Sequence, residues 1–283
     1  MKYTILVILF FLIISFKPWK SYTEEIQVEE DIPQDTLTVA IHDLFNNEYS
    51  DLIETKRLDQ TIERFMNQWE IKGASLAIMK DGKLIYSKGY GYADEENDVK
   101  TDVNHIFRIA SVSKLITAAG IMKLVENGKL SLEDKVFGED GILNDTTLYA
   151  PIKDKRTKSI TVENLLRHQG GFTNRMGDPM FCPVDIAKKM DVPAPADLNT
   201  TIKFVLSRQL GFTPGTSTSY SNVGYAILSK IIEEVTGEDY EHFIQDNVLF
   251  PAGCYDMHLA HNLYEDRYQN EVRYYEQADA DLI

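Results

Sequence analysis

A single helix places the strongest constraint on how this chain can fold. The segment 109–126 is predicted to be helical, and apolar side chains cover nearly every side of it: Leu115, Ile116, Ala118, Ala119, Ile121, Met122, Leu124 and Val125. The segment is followed by Asn127-Gly128, a pair typical of a helix C-terminus. Because a helix that is hydrophobic all round is normally surrounded by protein, we expect it to lie buried in the middle of the fold.

The elements before this helix indicate an antiparallel sheet with a helix laid across it. Apolar residues at helical spacing predict an amphipathic helix: Leu58, Ile62, Phe65, Met66 and Trp69. Two strand-like runs follow, 74–79 and 83–87, joined by Lys80-Asp81-Gly82. Asp-Gly is a favoured two-residue hairpin turn, so the two runs are predicted to pair.

The region after residue 129 is predicted to consist mostly of short helices and loops, as far as about residue 204. Its irregularity is indicated by four prolines: Pro179, Pro183, Pro193 and Pro195. A further long helix is predicted at 225–235, ending at Gly237.

The first 20 residues are predicted to be a signal peptide or membrane anchor. Lys2 is followed by a fourteen-residue apolar run, 3–16, whereas a membrane-spanning helix needs about 20 apolar residues. The run therefore has the length of a signal-peptide core, and cleavage and retention as an anchor both stay open. Export would place the protein in a periplasmic, extracellular or membrane-anchored location. Residues 21–57 are interpreted as an acidic linker and 58–283 as the folded domain.

Charge and cysteine content argue against several classes of protein. The 283 residues include 29 Lys and Arg against 44 Asp and Glu, a formal net charge of −15. That balance repels phosphate backbones and argues against a nucleic-acid partner. The six histidines show no metal-ligand spacing. Cys182 and Cys254 could pair in an exported chain, and buried free thiols are equally compatible with the sequence.

Ser111 and Lys114 are the first candidates for chemistry. They form an S-x-x-K pair at the start of the apolar helix, and residues three apart lie on the same helix face, about 5–6 Å between Cβ atoms. A lysine ammonium can then reach the serine hydroxyl, and burial would favour a neutral amine able to accept a proton. The helix N-terminus adds backbone N–H groups that can stabilise an oxyanion. The pair is a candidate nucleophile and base.

Tyr220 and Asn222 are the second set of candidates. Tyr220-Ser221-Asn222 follows the turn signal Thr213-Pro214-Gly215 and precedes a helix, so it is predicted to lie on a loop. A tyrosine near an ammonium group can act as a general base, and an asparagine amide can bind a substrate amide. Tyr268-Gln269-Asn270 has the same spacing but lacks the turn and the helix, and we interpret it as surface.

Five segments occur in this order: 107–114 around the candidate nucleophile, 127–136 after the helix, 165–171 with its His168-Gln169-Gly170-Gly171 loop, 212–225 with Pro-Gly and Tyr-Ser-Asn, and 251–254. Together they resemble the family of class C β-lactamases, D-alanyl-D-alanine peptidases and related carboxylesterases, within the β-lactamase and penicillin-binding-protein superfamily. Gln169 replaces the usual small hydroxyl residue, and Cys254 replaces a methionine. For His168 a loop-bracing hydrogen bond is favoured over catalysis.

The resemblance implies an α/β fold of the β-lactamase/transpeptidase type. It consists of an antiparallel sheet flanked by helices, with a mainly helical region inserted between Lys129 and about Leu210. It also implies a serine hydrolase that works through an acyl-enzyme without a metal or organic cofactor. Ser111 would be the nucleophile, Lys114 and Tyr220 the proton-handling residues and Asn222 a substrate-binding residue. Either Lys114 or Tyr220 could be the general base, and the substrate could be a small molecule or a peptidoglycan-like peptide.

One part of the family pattern has no counterpart in this sequence. The third motif, Lys-Thr-Gly or His-x-Gly on a central strand, should follow Tyr220, and neither occurs there. In the family that strand supplies an oxyanion N–H and one wall of the substrate groove. We therefore expect the domain to lack its C-terminal strands. A non-catalytic envelope protein that keeps the fold for binding is the alternative hypothesis.

Overall fold

The computed structural model describes residues 55–149, 152–174, 177–261 and 264–275. The described residues divide into two compact units: one runs up to Asn104 and includes Tyr275, and the other is His105–Tyr274. The predicted signal peptide or anchor, 1–20, and all but the end of the acidic linker lie outside the described residues. Within the described ranges, no helix is both long and apolar enough to span a bilayer.

The first unit contains the predicted helix and hairpin. Helix α1 is Lys56–Gln68, and strands β1 (Gly73–Lys80), β2 (Lys83–Asp94) and β3 (Val99–Lys100) form an antiparallel sheet in that order. The turn prediction is confirmed, because Asp81 and Gly82 have φ angles of 52° and 72°, the left-handed pair that a tight hairpin requires. Strand β3 was not predicted.

A partly buried polar cluster holds helix α1 to the hairpin. The hydroxyls of Tyr86 and Tyr90 lie 2.6 and 2.8 Å from Asp59 Oδ1, and Lys88 Nζ lies 3.4 Å from the other carboxylate oxygen. The apolar face of the helix is less buried than its sequence predicts. Met66 is buried, whereas Phe65 and Trp69 are 53% and 50% exposed.

Two glycines allow the backbone of the hairpin to pass close to its neighbours. A Cβ atom on Gly73 would lie 2.1 Å from the carbonyl oxygen of Tyr92, and one on Gly91 would lie 2.1 Å from that of Lys72. Gly91 also has a φ of 67°, which is unfavourable for residues with a side chain. This close approach allows the backbone N–H of Tyr92 to donate a hydrogen bond of 2.7 Å to Lys72 O.

The second unit is mainly helical. A 3₁₀ turn at Ala110–Val112 leads into α2, Ser113–Glu126. The remaining α-helices are α3 (Thr146–Tyr149), α4 (Val162–Leu166), α5 (Pro183–Met190), α6 (Leu198–Leu206), α7 (Asn222–Thr236) and α8 (Tyr240–Ile244), the last continuing into a π-helical turn, Gln245–Leu249. Between residues 130 and 204 the described residues form the short helices α3 to α6, 3₁₀ turns and loops, which confirms the predicted mixture.

Helix α2 is not buried all round, and that prediction is wrong. Its buried residues are Thr117, Gly120, Ile121 and Leu124, which form one stripe at helical spacing. On the other side, Leu115 and Met122 are 72% and 46% exposed. The described helices cover only the stripe, because α2 packs mainly against α7 and the turn after α8.

A buried carboxylate ties two loops of the second unit together. Asp154 accepts hydrogen bonds from Arg156 Nη2 at 2.6 Å and from the backbone N–H of Leu210 at 3.0 Å. Its side chain is only 6% exposed. The hydrogen bonds from Arg156 hold the pKa of Asp154 well below its ordinary value, despite burial. Cys182 and Cys254, whose pairing was left open, both carry free thiols in this unit.

Candidate active site

Ser111 lies on a tight turn at the entrance to helix α2. The preceding residue, Ala110, has a φ of 44°, a left-handed conformation that costs a residue with a side chain about 1–2 kcal/mol. Such strained residues cluster at functional sites. Ser111 itself is exposed, so a substrate could reach its hydroxyl.

Lys114 follows one turn later and points back at the serine. Its Nζ lies 3.4 Å from Ser111 Oγ and donates to Asn222 Oδ1 at 2.7 Å. The same Nζ lies 4.8 Å from the centre of the Tyr220 ring. The ammonium group is therefore held between the serine, the asparagine and the tyrosine.

Tyr220 reaches the serine from the loop before helix α7. Its hydroxyl lies 2.7 Å from Ser111 Oγ, the shorter of the two contacts that the serine makes with the predicted proton-handling residues. The loop is fixed where the helix begins, because Ser221 Oγ accepts the backbone N–H of Gly224 at 3.0 Å, an N-terminal cap. Asn222 is the first residue of α7, so the cap also fixes its position.

The environment of Tyr220 changes its acidity. Burial raises the pKa of the Tyr220 phenol, but the Lys114 ammonium and the hydrogen bond with Ser111 outweigh it, so that the pKa lies below its ordinary value. A lower pKa favours the phenolate, which can accept a proton from Ser111. The structure thus places all four predicted site residues in one hydrogen-bonded cluster.

His168 contacts the loop before helix α7 that carries Tyr220, which we call the tyrosine loop. Its Nδ1 accepts the backbone N–H of Ser221 at 3.2 Å, and its carbonyl oxygen accepts that of Ser219 at 2.9 Å. Its ring packs against Tyr220 and Tyr225, with centroids 4.7 and 5.1 Å apart. The favoured interpretation, that His168 braces the loop, is confirmed by these contacts.

Asp178 is a member of the cluster that sequence reasoning missed. Its Oδ2 accepts from Asn222 Nδ2 at 2.8 Å and from Asn174 Nδ2 at 3.3 Å. Asp178 lies 44 residues before Asn222 in an irregular segment. The only local signal is an Asp-Pro pair, which indicates a turn and carries no information about a distant partner.

The alternative Tyr-x-Asn at 268–270 has another role. Tyr268 stacks on His258 with centroids 4.8 Å apart, and the carbonyl of Asn270 accepts the backbone N–H of Ile106 at 2.8 Å. Tyr268 is half-buried rather than on the open surface as predicted. In the described part of the chain, no group of three or more His, Cys, Asp and Glu side chains could hold a metal ion.

The site consists of an exposed serine on a strained turn, a lysine one helical turn later and a tyrosine from a distant loop, all in contact. This arrangement is typical of the penicillin-recognising class of serine enzymes. Comparison with known proteins gives the same class. The model of the Beta-lactamase family matches residues 58–282, and the chain belongs to that family.

Two curated relatives illustrate the likeness. Protein flp of Staphylococcus aureus (strain COL) is 29% identical over 211 residues, which cover 74% of this chain and 38% of flp. The putative penicillin-binding protein PbpX of Bacillus subtilis (strain 168) is 28% identical over 202 residues, which cover 71% of this chain and 44% of PbpX. The chain thus matches about two fifths of the length of these relatives.

Solved structures share the fold. An octameric penicillin-binding protein homologue from Pyrococcus abyssi superimposes with a TM-score of 0.60 and 30% identity, over 78% of this chain and 47% of that one. FmtA from Staphylococcus aureus gives a TM-score of 0.51 and 25% identity, over 69% and 48% of the two chains. These likenesses confirm a β-lactamase/transpeptidase-like fold, of which the described residues contain helices and a small antiparallel sheet.

Proposed function

We propose that this protein is a serine hydrolase that acts through an acyl-enzyme on an amide, an ester or a D-Ala-type peptide. The observation that carries the proposal is the contact of Ser111 Oγ with Tyr220 OH at 2.7 Å, beside Lys114 Nζ at 3.4 Å. A serine hydroxyl is a weak nucleophile until an adjacent base removes its proton, and these two side chains lie within reach.

The geometry favours Tyr220 as the group that takes the proton. Tyr220 OH lies closer to Ser111 Oγ than Lys114 Nζ does, at 2.7 against 3.4 Å. The contacts with Lys114 also lower the pKa of Tyr220, which supports a phenolate there. In the acylation step Ser111 Oγ bonds to the carbonyl carbon while its proton passes to Tyr220. When the bond from carbon to the leaving group breaks, that proton returns to the leaving nitrogen or oxygen.

Deacylation uses the same groups with water as the nucleophile. Tyr220 accepts a proton from the water while the water oxygen bonds to the acyl carbon. That proton returns to Ser111 Oγ when the ester bond breaks. Backbone N–H groups at the start of a helix are a general means of stabilising such an oxyanion. No metal or organic cofactor takes part in this scheme.

The names of similar proteins support the substrate class. They include a penicillin-binding protein homologue and, among chains that share the fold, a hydrolase with promiscuous acyltransferase activity and a D-alanine carboxypeptidase. The substrate we propose is a small molecule or a peptidoglycan-like peptide. The apolar run at 3–16 supports export to the periplasm, the cell exterior or a membrane-anchored position, where such substrates occur.

Covalent labelling tests the proposal. The 283-residue protein is treated with a fluorophosphonate and with a fluorescent penicillin, and the adduct is located by mass spectrometry. We expect an adduct on Ser111 and none in Ser111→Ala. Ser113→Ala is the matched control, since it removes a neighbouring hydroxyl and should leave labelling intact. Absence of an adduct with either probe would favour the alternative, a non-catalytic envelope protein that keeps the fold for binding.

A further inference from the structure

The orientation of the Asn222 side chain is determined by the groups on either side of it. A carboxylate can only accept hydrogen bonds and an ammonium can only donate them. Asp178 Oδ2 therefore faces the Asn222 NH₂ at 2.8 Å, and the Asn222 oxygen faces Lys114 Nζ at 2.7 Å. A flip of the amide would place NH₂ against the ammonium and oxygen against the carboxylate.

Asp178 is itself held in place by its own turn. Its Oδ1 accepts the backbone N–H of Met180 at 2.9 Å and so caps the 3₁₀ turn Pro179–Phe181. Its Oδ2 is left to face the site, where Asn174 Nδ2 also donates to it at 3.3 Å. One oxygen thus anchors the residue to the chain while the other orients Asn222.

We propose that Asp178 is a positioning residue that fixes the Asn222 amide, and through it Lys114, in the orientation needed to acylate Ser111. The proposal rests on the proposed function for its effect on rate, although the hydrogen-bond relay from Asp178 to Asn222 to Lys114 can be tested without it. Asp178 acts on Lys114 through Asn222. Loss of the Asp178 carboxylate should therefore slow acylation without weakening the initial binding of a probe.

A reciprocal exchange of the two side chains gives the sharpest test. In Asp178→Asn the amide oxygen can still cap Met180, so the fold should be kept, but its NH₂ then faces the NH₂ of Asn222. In Asn222→Asp two carboxylates face each other. The double exchange, Asp178→Asn with Asn222→Asp, again pairs a donor with an acceptor and leaves a carboxylate oxygen for Lys114.

We expect each single variant to acylate about tenfold more slowly than the unmodified protein. This loss lies within the range of interaction energies between residues in contact. The double variant should be faster than either single one. In Asp178→Asn, which leaves Asn222 in place, the half-saturating probe concentration should be unchanged. Asp185→Ala is the control for charge, because Asp185 is an exposed acidic residue on the nearby helix α5, and it should acylate normally. A normal rate for Asp178→Asn, or losses that simply multiply in the double variant, would overturn the proposal.

A second readout separates this proposal from the proposed function. The side-chain NH₂ resonance of Asn222, assigned by its loss in Asn222→Ala, should have the downfield proton shift of a hydrogen bond to a carboxylate. We expect Asp178→Ala to abolish that shift and Asp185→Ala to preserve it. If Ser111 is never acylated, the proposed function fails, and the resonance alone decides: an unchanged signal in Asp178→Ala would rule out the relay.

Discussion

His168 Nδ1 accepts the backbone N–H of Ser221, so the hydrogen bond that braces the tyrosine loop requires a neutral imidazole. A proton on Nδ1 would point at the N–H that it now accepts. Burial, followed by the positive charge of Lys114, lowers the pKa of His168. The folded state thus favours the neutral form of His168, and protonation of this residue at acidic pH destabilises the fold.

The first prediction concerns stability at acidic pH. Because the folded pKa of His168 lies below its unfolded value of about 6.5, the unfolded chain binds the proton first. This contribution to stability is complete above pH 6.5, decreases as pH falls below that value, and levels off once pH is below the folded pKa. Denaturant unfolding measured at pH 7 and pH 5 should show the decrease.

His168→Asn is the matched variant for that experiment. Asn tolerates the left-handed φ of 58° at this position and offers an oxygen to Ser221 N, but it does not titrate. The variant should lack the His168 share of the pH effect, while the other histidines contribute equally to both proteins. Parallel pH curves for the two proteins would contradict the assignment.

The second prediction distinguishes the two Tyr-x-Asn motifs. Tyr220→Phe removes the hydroxyl that contacts Ser111, and a positioned acid–base group contributes about 10²–10⁴-fold to rate. The acylation rate of Ser111 should fall by that order. Tyr268→Phe loses only a hydrogen bond of 3.3 Å to the Leu259 carbonyl and should acylate normally. The reverse result would show that the wrong motif was chosen.

The third prediction concerns Lys114. Lys114→Ala removes the ammonium that contacts both Ser111 and Asn222, and we expect acylation to slow by about 10²–10⁴-fold. Lys123→Ala is the control, since Lys123 lies on the same helix but pairs with Glu126 near solvent. The phenol of Tyr220 should also titrate at higher pH in Lys114→Ala, which the difference in ultraviolet absorbance between proteins with and without Tyr220→Phe can follow. An unchanged titration would exclude the proposed link between the two residues.

The fourth prediction is about the fold. Asp154→Ala leaves the Leu210 N–H without its acceptor and removes the partner of Arg156, so it should reduce the free energy of unfolding by about 2–4 kcal/mol. Exposed Asp140 provides the control, and Asp140→Ala should stay within about 0.5 kcal/mol. Since the pKa of Asp154 is depressed in the folded protein, the difference between Asp154→Ala and the unmodified protein should shrink as pH falls below about 4.

Local patterns in the sequence predicted the parts of the structure that are set by neighbouring residues. The Asp81-Gly82 turn depends on the two φ angles of its own residues, and the S-x-x-K spacing places Lys114 beside Ser111 on any helix. The cap at Ser221 is equally local but was not predicted, because the helix was expected to start at 225 and starts at Asn222. These features need no knowledge of the rest of the chain.

The remaining features depend on residues far apart in sequence. The contact of Asp178 with Asn222 joins a proline-rich turn to a helix start, and no periodicity carries that information. The exposure of Leu115 could not be predicted either, because apolar content indicates which residues can be buried and leaves open which neighbours are there to bury them. Long-range contacts decided both outcomes.

The close backbone approach at Gly73 and Gly91 has a consequence for anyone who redesigns this protein. At each of the two positions a single extra carbon would occupy the space of a carbonyl oxygen, so the choice of amino acid there shrinks to one. A combinatorial library over the hairpin should keep both codons constant and spend its diversity on exposed positions such as Met79 and Ile85. For the hairpin, then, the useful size of sequence space is limited by its backbone.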